Sequence, residues 1–201
     1  MDRAQARISY TVLAPLYDSF VGPLARAPRR ASLAYLASES ASRVLLVGIG
    51  TGLDLPWLSA SHHYVGIDVT RAMLKKARAR RSALDVALVE GDAQSLPFAD
   101  NAFQHVIMHL ILAVMDDPVS ALREAARVVK AGGTLIVLDK FLRRGERALA
   151  RRLLNRLASK VATRLDVVFE DVLASVAGLR AVTDQPVLLG GWFRRIELRK
   201  T

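Results

Sequence analysis

The sequence predicts a single α/β domain built on a doubly wound, mainly parallel sheet. Three observations predict it. Between Arg43 and Asp139, short apolar runs alternate with helix-like stretches, the pattern of repeated strand–helix–strand units. The first run closes on a turn with three glycines, Gly48-Ile49-Gly50-Thr51-Gly52. The next two runs end at or beside an aspartate, Asp68 and Asp92.

The elements follow in order. Residues 1–38 read as helix, divided into short pieces by Pro15, Pro23 and Pro28. Arg43–Val47 reads as a buried strand that runs into the glycine turn. Tyr64–Asp68 is a second strand, and Arg71–Arg81 a helix with Thr70 as its N-cap. Val86–Glu90 is a third strand, Val106–Leu110 a fourth, and Val119–Val129 a helix. Lys130-Ala131-Gly132-Gly133 stops that helix before a fifth strand, Thr134–Asp139. Gly145 to Ala177 again has a helical pattern. Val187 to Leu198, with Gly190-Gly191, adds late strands at the sheet edge.

Composition sets the outer bounds. The chain has 201 residues, 52% of them hydrophobic, which suits one domain with a substantial core. Cysteine is absent, so disulfides, thiolate catalysis and a cysteine-built metal site are excluded, and no metal is expected. The opening MDRAQARISY has no apolar core, so no secretory signal is expected. The longest nearly unbroken apolar stretch, Val106 to Met115, is too short to span a bilayer. Net charge is +10, unevenly spread. Residues 41–139 carry 10 basic and 10 acidic side chains, whereas residues 140–201 carry 14 and 6. A basic chain favours nucleic acid, anionic lipid or acidic ligands.

Glycines in a strand-to-helix turn allow close backbone approach to a ligand. Asp68, at the end of the second strand, can accept both ribose hydroxyls of a nucleoside. Asp92, after the third, can accept a hydrogen bond from an adenine amino group. Taken together they favour a nucleoside site over separate capping and turn roles. The turn lacks the later glycine of a dinucleotide fingerprint, and no G-K-[ST] follows it as in a P-loop.

Several segments resemble class I S-adenosylmethionine-dependent methyltransferases. They are Val44–Gly52, Val65–Thr70 with Met73-Leu74-Lys75-Lys76-Ala77-Arg78, Gly91–Phe98, Asp100–Phe103 and Arg127–Gly133, about 100 residues in the family's order. The resemblance implies a Rossmann-like fold and S-adenosylmethionine as cofactor. Gly48, Ile49, Gly50, Thr51 and Gly52 would back its methionine part, Asp68 and Val69 would meet the ribose, and Asp92, Ala93 and Gln94 the adenine. Met73, Met108, His109 and Tyr17 would surround the adenosyl group. It also implies one domain in three parts: a helical lid over residues 1–40, a cofactor core over 41–139, and a basic helix with the last strands over 140–201. The family usually carries an acid two positions before the first glycine, where it helps to anchor the methionine amino group; here that residue is Leu46. Gln104 and Ala131 likewise stand where the family has Asp and Pro.

The segment Tyr10 to Pro23 is similar to the opening of bacterial phospholipid N-methyltransferases, which methylate phosphatidylethanolamine, and less closely to that of quinone C-methyltransferases. Met108–Met115 before Asp116-Asp117-Pro118, Asp139-Lys140-Phe141 and Gly190-Gly191-Trp192-Phe193 fit the phospholipid group. On that resemblance Tyr10, Lys140 and Trp192 are substrate candidates, the aromatics for a methylated ammonium and the lysine for a phosphate. Tyr10, Tyr17 and His109 are the catalytic candidates. His62 and His63 fall in a solvated loop, and His105 at a strand start where it packs. Arg152, Arg156, Lys160 and Arg164 form one stripe of a helix whose neighbouring stripe is Leu149, Leu153, Leu157 and Val161. A basic amphipathic helix suits an anionic membrane surface, which points to a cytoplasmic protein on the inner membrane face. A quinone-type acceptor, nucleic-acid binding and non-catalytic cofactor binding are the competing readings.

Overall fold

The computed structural model describes residues 22–81, 84–145 and 166–201. A seven-stranded sheet in the order β3-β2-β1-β4-β5-β7-β6 forms its centre. The strands are β1 Arg43–Val47, β2 His63–Asp68, β3 Val86–Glu90, β4 Phe103–His109, β5 Val129–Lys140, β6 Leu179–Leu188 and β7 Phe193–Lys200. The first five run parallel, while β7 lies antiparallel between β5 and β6. All five parallel strands therefore end on one edge, where a doubly wound sheet places its ligand.

Helices cover both faces. On one lie α3 (Pro118–Val128) and α4 (Phe169–Ala174). Ala121, Leu122, Ala125 and Val128 of α3 pack with Phe169 and Val172 of α4 on Leu45, Val106, Met108, Leu135 and Val137. On the other face lie α1, seen over residues 22–33, and α2 (Arg71–Arg80). Leu33, Leu36, Leu55, Leu74 and Ala77 there meet Val44, Leu46, Ile107 and Ile136. From Val106 to Met108 the face changes at every residue of β4, as its two-residue period requires, while a shift in register after Phe103 puts that ring on the same side as Val106. The helix signals are local. Asp117 caps α3 by accepting from the Ser120 N–H at 3.0 Å, and Pro118 sits in the first turn, where its missing N–H costs nothing.

Arg127, near the end of α3, organises the loop before β4. Its guanidinium donates to the carbonyls of Phe98 and Leu96 at 2.7 and 2.9 Å, and to Asp100 at 2.8 Å. Glu124 holds that guanidinium at 2.8 Å and also accepts from the Leu96 N–H at 2.7 Å. The hydrogen bonds of Arg127 pull the Glu124 carboxyl below its ordinary range.

Four expectations need correction. Pro28 does not divide the N-terminal helix: α1 continues across it, with the residue buried. His62 is not in a solvated loop; it is buried, donating from Nε2 to the Leu36 carbonyl at 2.7 Å and facing Ser42 Oγ at 3.0 Å from Nδ1. The Lys130–Gly133 stop lies inside β5, which begins at Val129, paired with Phe103 across a shift in register; a Cβ on Gly133 would come within 2.7 Å of the Gln104 carbonyl. The late strands begin earlier than expected, at Leu179; they do extend the sheet at one edge, with β6 outermost and β7 between it and β5. Of the helical pattern from Gly145 to Ala177, the described part contains α4 alone; the basic stripe from Arg152 to Arg164 lies outside the described residues.

Candidate active site

The glycine turn leaves β1 and bends over the ligand edge of the sheet. Gly48, Gly50 and Gly52 all have positive φ, 65°, 56° and 81°. Their surroundings differ. A Cβ on Gly48 would meet Ile111 at 2.6 Å, and one on Gly52 would meet Leu55 at 2.8 Å and the Ala77 backbone of α2 at 3.0 Å. A Cβ on Gly50 would find its nearest atom 3.9 Å away. Gly48 and Gly52 thus let neighbours pack close, while Gly50 leaves open space. Such a bare turn is the cradle a methionine chain needs.

Asp68, closing β2, is tied to that turn. The Gly50 N–H donates to Oδ2 and the Thr70 N–H to Oδ1, each at 2.9 Å. Burial raises its carboxyl above the ordinary value and the two N–H bonds oppose the rise. Asp92 follows β3 and accepts from the Gln94 N–H at 2.9 Å, which shapes the turn that carries the buried Ala93. Val69 is exposed beside Asp68, and Met73 is buried in the first turn of α2. Thr70 stands at the N-cap of α2 without a side-chain capping bond. Thr51 is buried and its carbonyl accepts from Arg80 at 2.7 Å. Ile49 covers Gly66, where a Cβ would come within 2.4 Å of it.

Comparison with known proteins decides what this edge serves. The methyltransferase-domain profile matches residues 45–137, the stretch from β1 to β5. The chain is 30% identical over 190 residues to the phosphatidylethanolamine N-methyltransferase of Cereibacter sphaeroides, covering 92% of this chain and 93% of that protein. The chain belongs to the class I S-adenosylmethionine-dependent methyltransferases. A demethylmenaquinone methyltransferase of Renibacterium salmoninarum is 36% identical over 132 residues, 63% of this chain and 55% of its own. Among solved structures, a methyltransferase of Thermotoga maritima superposes with a TM-score of 0.71 at 23% identity, covering 96% of this chain and 99% of that one. The [4+2]-cyclase SpnF reaches 0.78 at 21% identity, covering 98% and 95%. These two likenesses describe the fold alone. The cofactor of this methyltransferase is accordingly S-adenosylmethionine, and the open turn at Gly50 with the anchored Asp68 fits it.

The methyltransferase departs from its sequence reading at His109. Both ring nitrogens are engaged inside the protein. Nδ1 donates to Asp54 Oδ1 at 3.1 Å, and Nε2 lies 3.0 Å from the Ser32 hydroxyl of α1. Arg29 of α1 donates to the same Asp54 oxygen at 2.8 Å. All four residues are buried. Burial opposes ionisation of Asp54, but Arg29 and His109 outweigh it and hold the carboxyl below its usual range. His109 therefore joins α1 and the loop after the glycine turn to the end of β4; it presents no free nitrogen to a substrate. Sequence reading missed Ser32, Arg29 and Asp54. The signal available was a lone Asp two residues after a cofactor turn, which by itself reads as a loop residue.

Met108 also changes role. It points to the face opposite His109 and is wholly buried in the core under α3, so its side chain lines that core rather than the ligand edge. The β4 end shows a different specialisation. Leu110 has a φ of 57°, unusual for a non-glycine residue, and the neighbouring Ile111 closes over Gly48. Asp139, near the end of β5, is buried with Oδ2 accepting from the Ala113 N–H at 2.9 Å and Oδ1 from the Lys140 N–H at 2.8 Å. Burial raises its carboxyl above the ordinary value. These bonds shape the β4–β5 edge next to the cofactor turn.

Lys140 ends β5 half-buried and pairs in register with Phe193. Trp192, 37% exposed, precedes β7, and its carbonyl accepts from the Phe141 N–H at 3.1 Å. The two candidates are thus brought to the same end of the sheet. Leu46 is buried among Leu33, Leu36 and Ile107, so the strand position where the family resemblance implies an acid is part of the apolar core. Tyr10 and Tyr17 lie outside the described residues. Among the described residues no group of His, Cys, Asp or Glu could hold a metal ion, and no helix is long and apolar enough to cross a membrane.

Proposed function

We propose that this methyltransferase transfers methyl groups to the amine of phosphatidylethanolamine, towards phosphatidylcholine, at a membrane surface. The observation that carries the reading is the extent of the match to the Cereibacter sphaeroides enzyme. It runs over 92% of the chain and so includes the ends, which in this fold choose the acceptor, as well as the cofactor core. The charge distribution supports it, since residues 140–201 carry 14 basic and 6 acidic side chains, most of the net positive charge, while the core is neutral.

S-adenosylmethionine supplies an electrophilic methyl group on a sulfonium when bound. The chain's part is to hold the acceptor in line and to keep water away. The amine must lose a proton to offer its lone pair, and a bound cofactor would supply the methyl carbon and keep the leaving electron pair on its sulfur. Aromatic faces at Trp192, Tyr10 and Tyr17 would stabilise the methylated ammonium, and Lys140 the headgroup phosphate.

Incubation with methyl-labelled cofactor and phosphatidylethanolamine vesicles tests the reading. Label is expected in the lipid fraction; cofactor bound without lipid label would refute it. A second reading, C-methylation of a quinone precursor, is favoured by the matches to demethylmenaquinone methyltransferases. Those matches cover a smaller share of the chain in the first two cases, 63% and 55%. The same labelling with a demethylmenaquinone as acceptor separates the two.

A further inference from the structure

Helix α1 buries one side against the sheet and leaves the other in solvent. Leu24, Ala27 and Ala31 share the solvent side, and Leu24 is 60% exposed. Arg26 and Arg30, also exposed and four residues apart, form a row beside this apolar one. No acidic residue occurs from 22 to 38. Both guanidiniums stand over the same indole, 5.1 and 5.4 Å from the ring centroid of Trp57. Among the described residues neither arginine forms an ion pair.

Two like charges gathered on one ring repel each other unless a counter-charge joins them. A guanidinium held over an aromatic face keeps its N–H donors at its own edge, where they match the paired oxygens of a phosphate. Holding both side chains on Trp57 reduces the conformational freedom they lose on binding. The adjoining apolar row separates this surface from a nucleic-acid face and fits a headgroup boundary instead. Its place matters too. At the start of α1, a Cβ on Gly22 would lie 3.6 Å from Leu53 of the cofactor-turn loop, so whatever α1 rests on lies near the ligand edge.

We propose that Arg26, Arg30 and Trp57 form a seat for the phosphodiester groups of an anionic bilayer, with Leu24, Ala27 and Ala31 resting at its headgroup boundary. The seat extends the lipid reading above to a named surface, and its test does not depend on which molecule accepts the methyl group. It is separate from the basic stripe expected between Arg152 and Arg164.

The full chain is floated with vesicles of phosphatidylglycerol and phosphatidylcholine, and with phosphatidylcholine alone, without cofactor. Stronger binding to the anionic vesicles is expected. The double variant Arg26→Gln/Arg30→Gln should lose it by roughly thirty-fold, the contribution of two basic side chains at such a surface. Arg26→Lys/Arg30→Lys should fall between, keeping charge but losing the planar fork. In a Trp192→Phe background, Trp57 emission should shift to the blue on anionic vesicles, and inorganic phosphate should leave that shift intact. Cofactor affinity by calorimetry should match the parent in every variant, which shows that they fold. Undiminished vesicle binding by the glutamine variant overturns the seat. So does displacement by free phosphate, or an arginine-dependent change in sedimentation mass without vesicles, which would mean self-association. If vesicles bind as expected yet lipid stays unlabelled, the acceptor reading fails and the seat stands.

Discussion

His109 Nδ1 lies 3.1 Å from Asp54 Oδ1, both side chains buried, across 55 residues of sequence. The same carboxylate holds Arg29, so one oxygen joins β4, the loop after the cofactor turn and α1. Removing one member of a buried charged set leaves the rest without compensation, at a cost of about 3–5 kcal/mol. Asp54→Asn should therefore lower the urea midpoint strongly. The double variant with Arg29→Gln should cost less than the two single losses combined, because Arg29 no longer remains buried and unpaired.

The pH dependence of that set has a definite sign. The folded-state value of Asp54 is below its ordinary 3.8, so its ionised form is favoured by folding. Its stabilising contribution is present above 3.8 and is lost as pH falls from there through the lowered value. Urea titrations below neutral pH should show the parent losing more stability on acidification than Asp54→Asn.

Asp68 behaves in the opposite sense. Its carboxyl is raised by burial, and in the proposed role of ribose acceptor it would offer both oxygens to hydroxyl hydrogens only when ionised. Cofactor affinity should accordingly weaken on acidification while the pH is still above the ordinary carboxylate value of 3.8. Asp68→Ala should reduce affinity at neutral pH by at least about tenfold, since each hydrogen bond to a charged group contributes about 1.5–3 kcal/mol. Calorimetry checks both; unchanged affinity in the variant would remove the ribose assignment.

The three glycines should separate by experiment. Gly52→Ala forces a Cβ against Leu55 and Ala77 at a φ of 81° and should cost stability through both overpacking and backbone strain. Gly50→Ala meets no neighbour closer than 3.9 Å, so only the left-handed backbone is penalised, by about 1–2 kcal/mol. Its main effect should be on cofactor affinity. Thermal melts with and without S-adenosylmethionine distinguish a folding defect from a binding defect.

Arg194 predicts a local defect. It is buried in β7, donates to the Leu142 carbonyl at 3.2 Å and to Glu170 at 2.7 Å, and pairs with Asp184. Arg194→Leu should remove these bonds together, lower the melting temperature and speed hydrogen exchange in β6 and α4, while β1 to β3 stay protected.

The sequence by itself determined the order and direction of β1 to β5, the glycine turn and the acids that follow β2 and β3. Those features are written locally, in two-residue and helical periods and in residues that a given backbone angle requires. Their placement on one edge then follows from parallel pairing. Only the tertiary structure decided that β7 inserts between β5 and β6, that α1 continues through Pro28, and that His62 and His109 are buried. It also decided that Asp54, which reads as a loop residue, meets Arg29 and His109, 25 and 55 positions away. Such choices rest on hydrogen bonds and packing between distant segments, and a side chain shows no sign of a partner in its own neighbourhood of sequence. The Arg26–Trp57–Arg30 cluster belongs to the same class: the helix spacing was visible, but the ring that gathers the two charges was not.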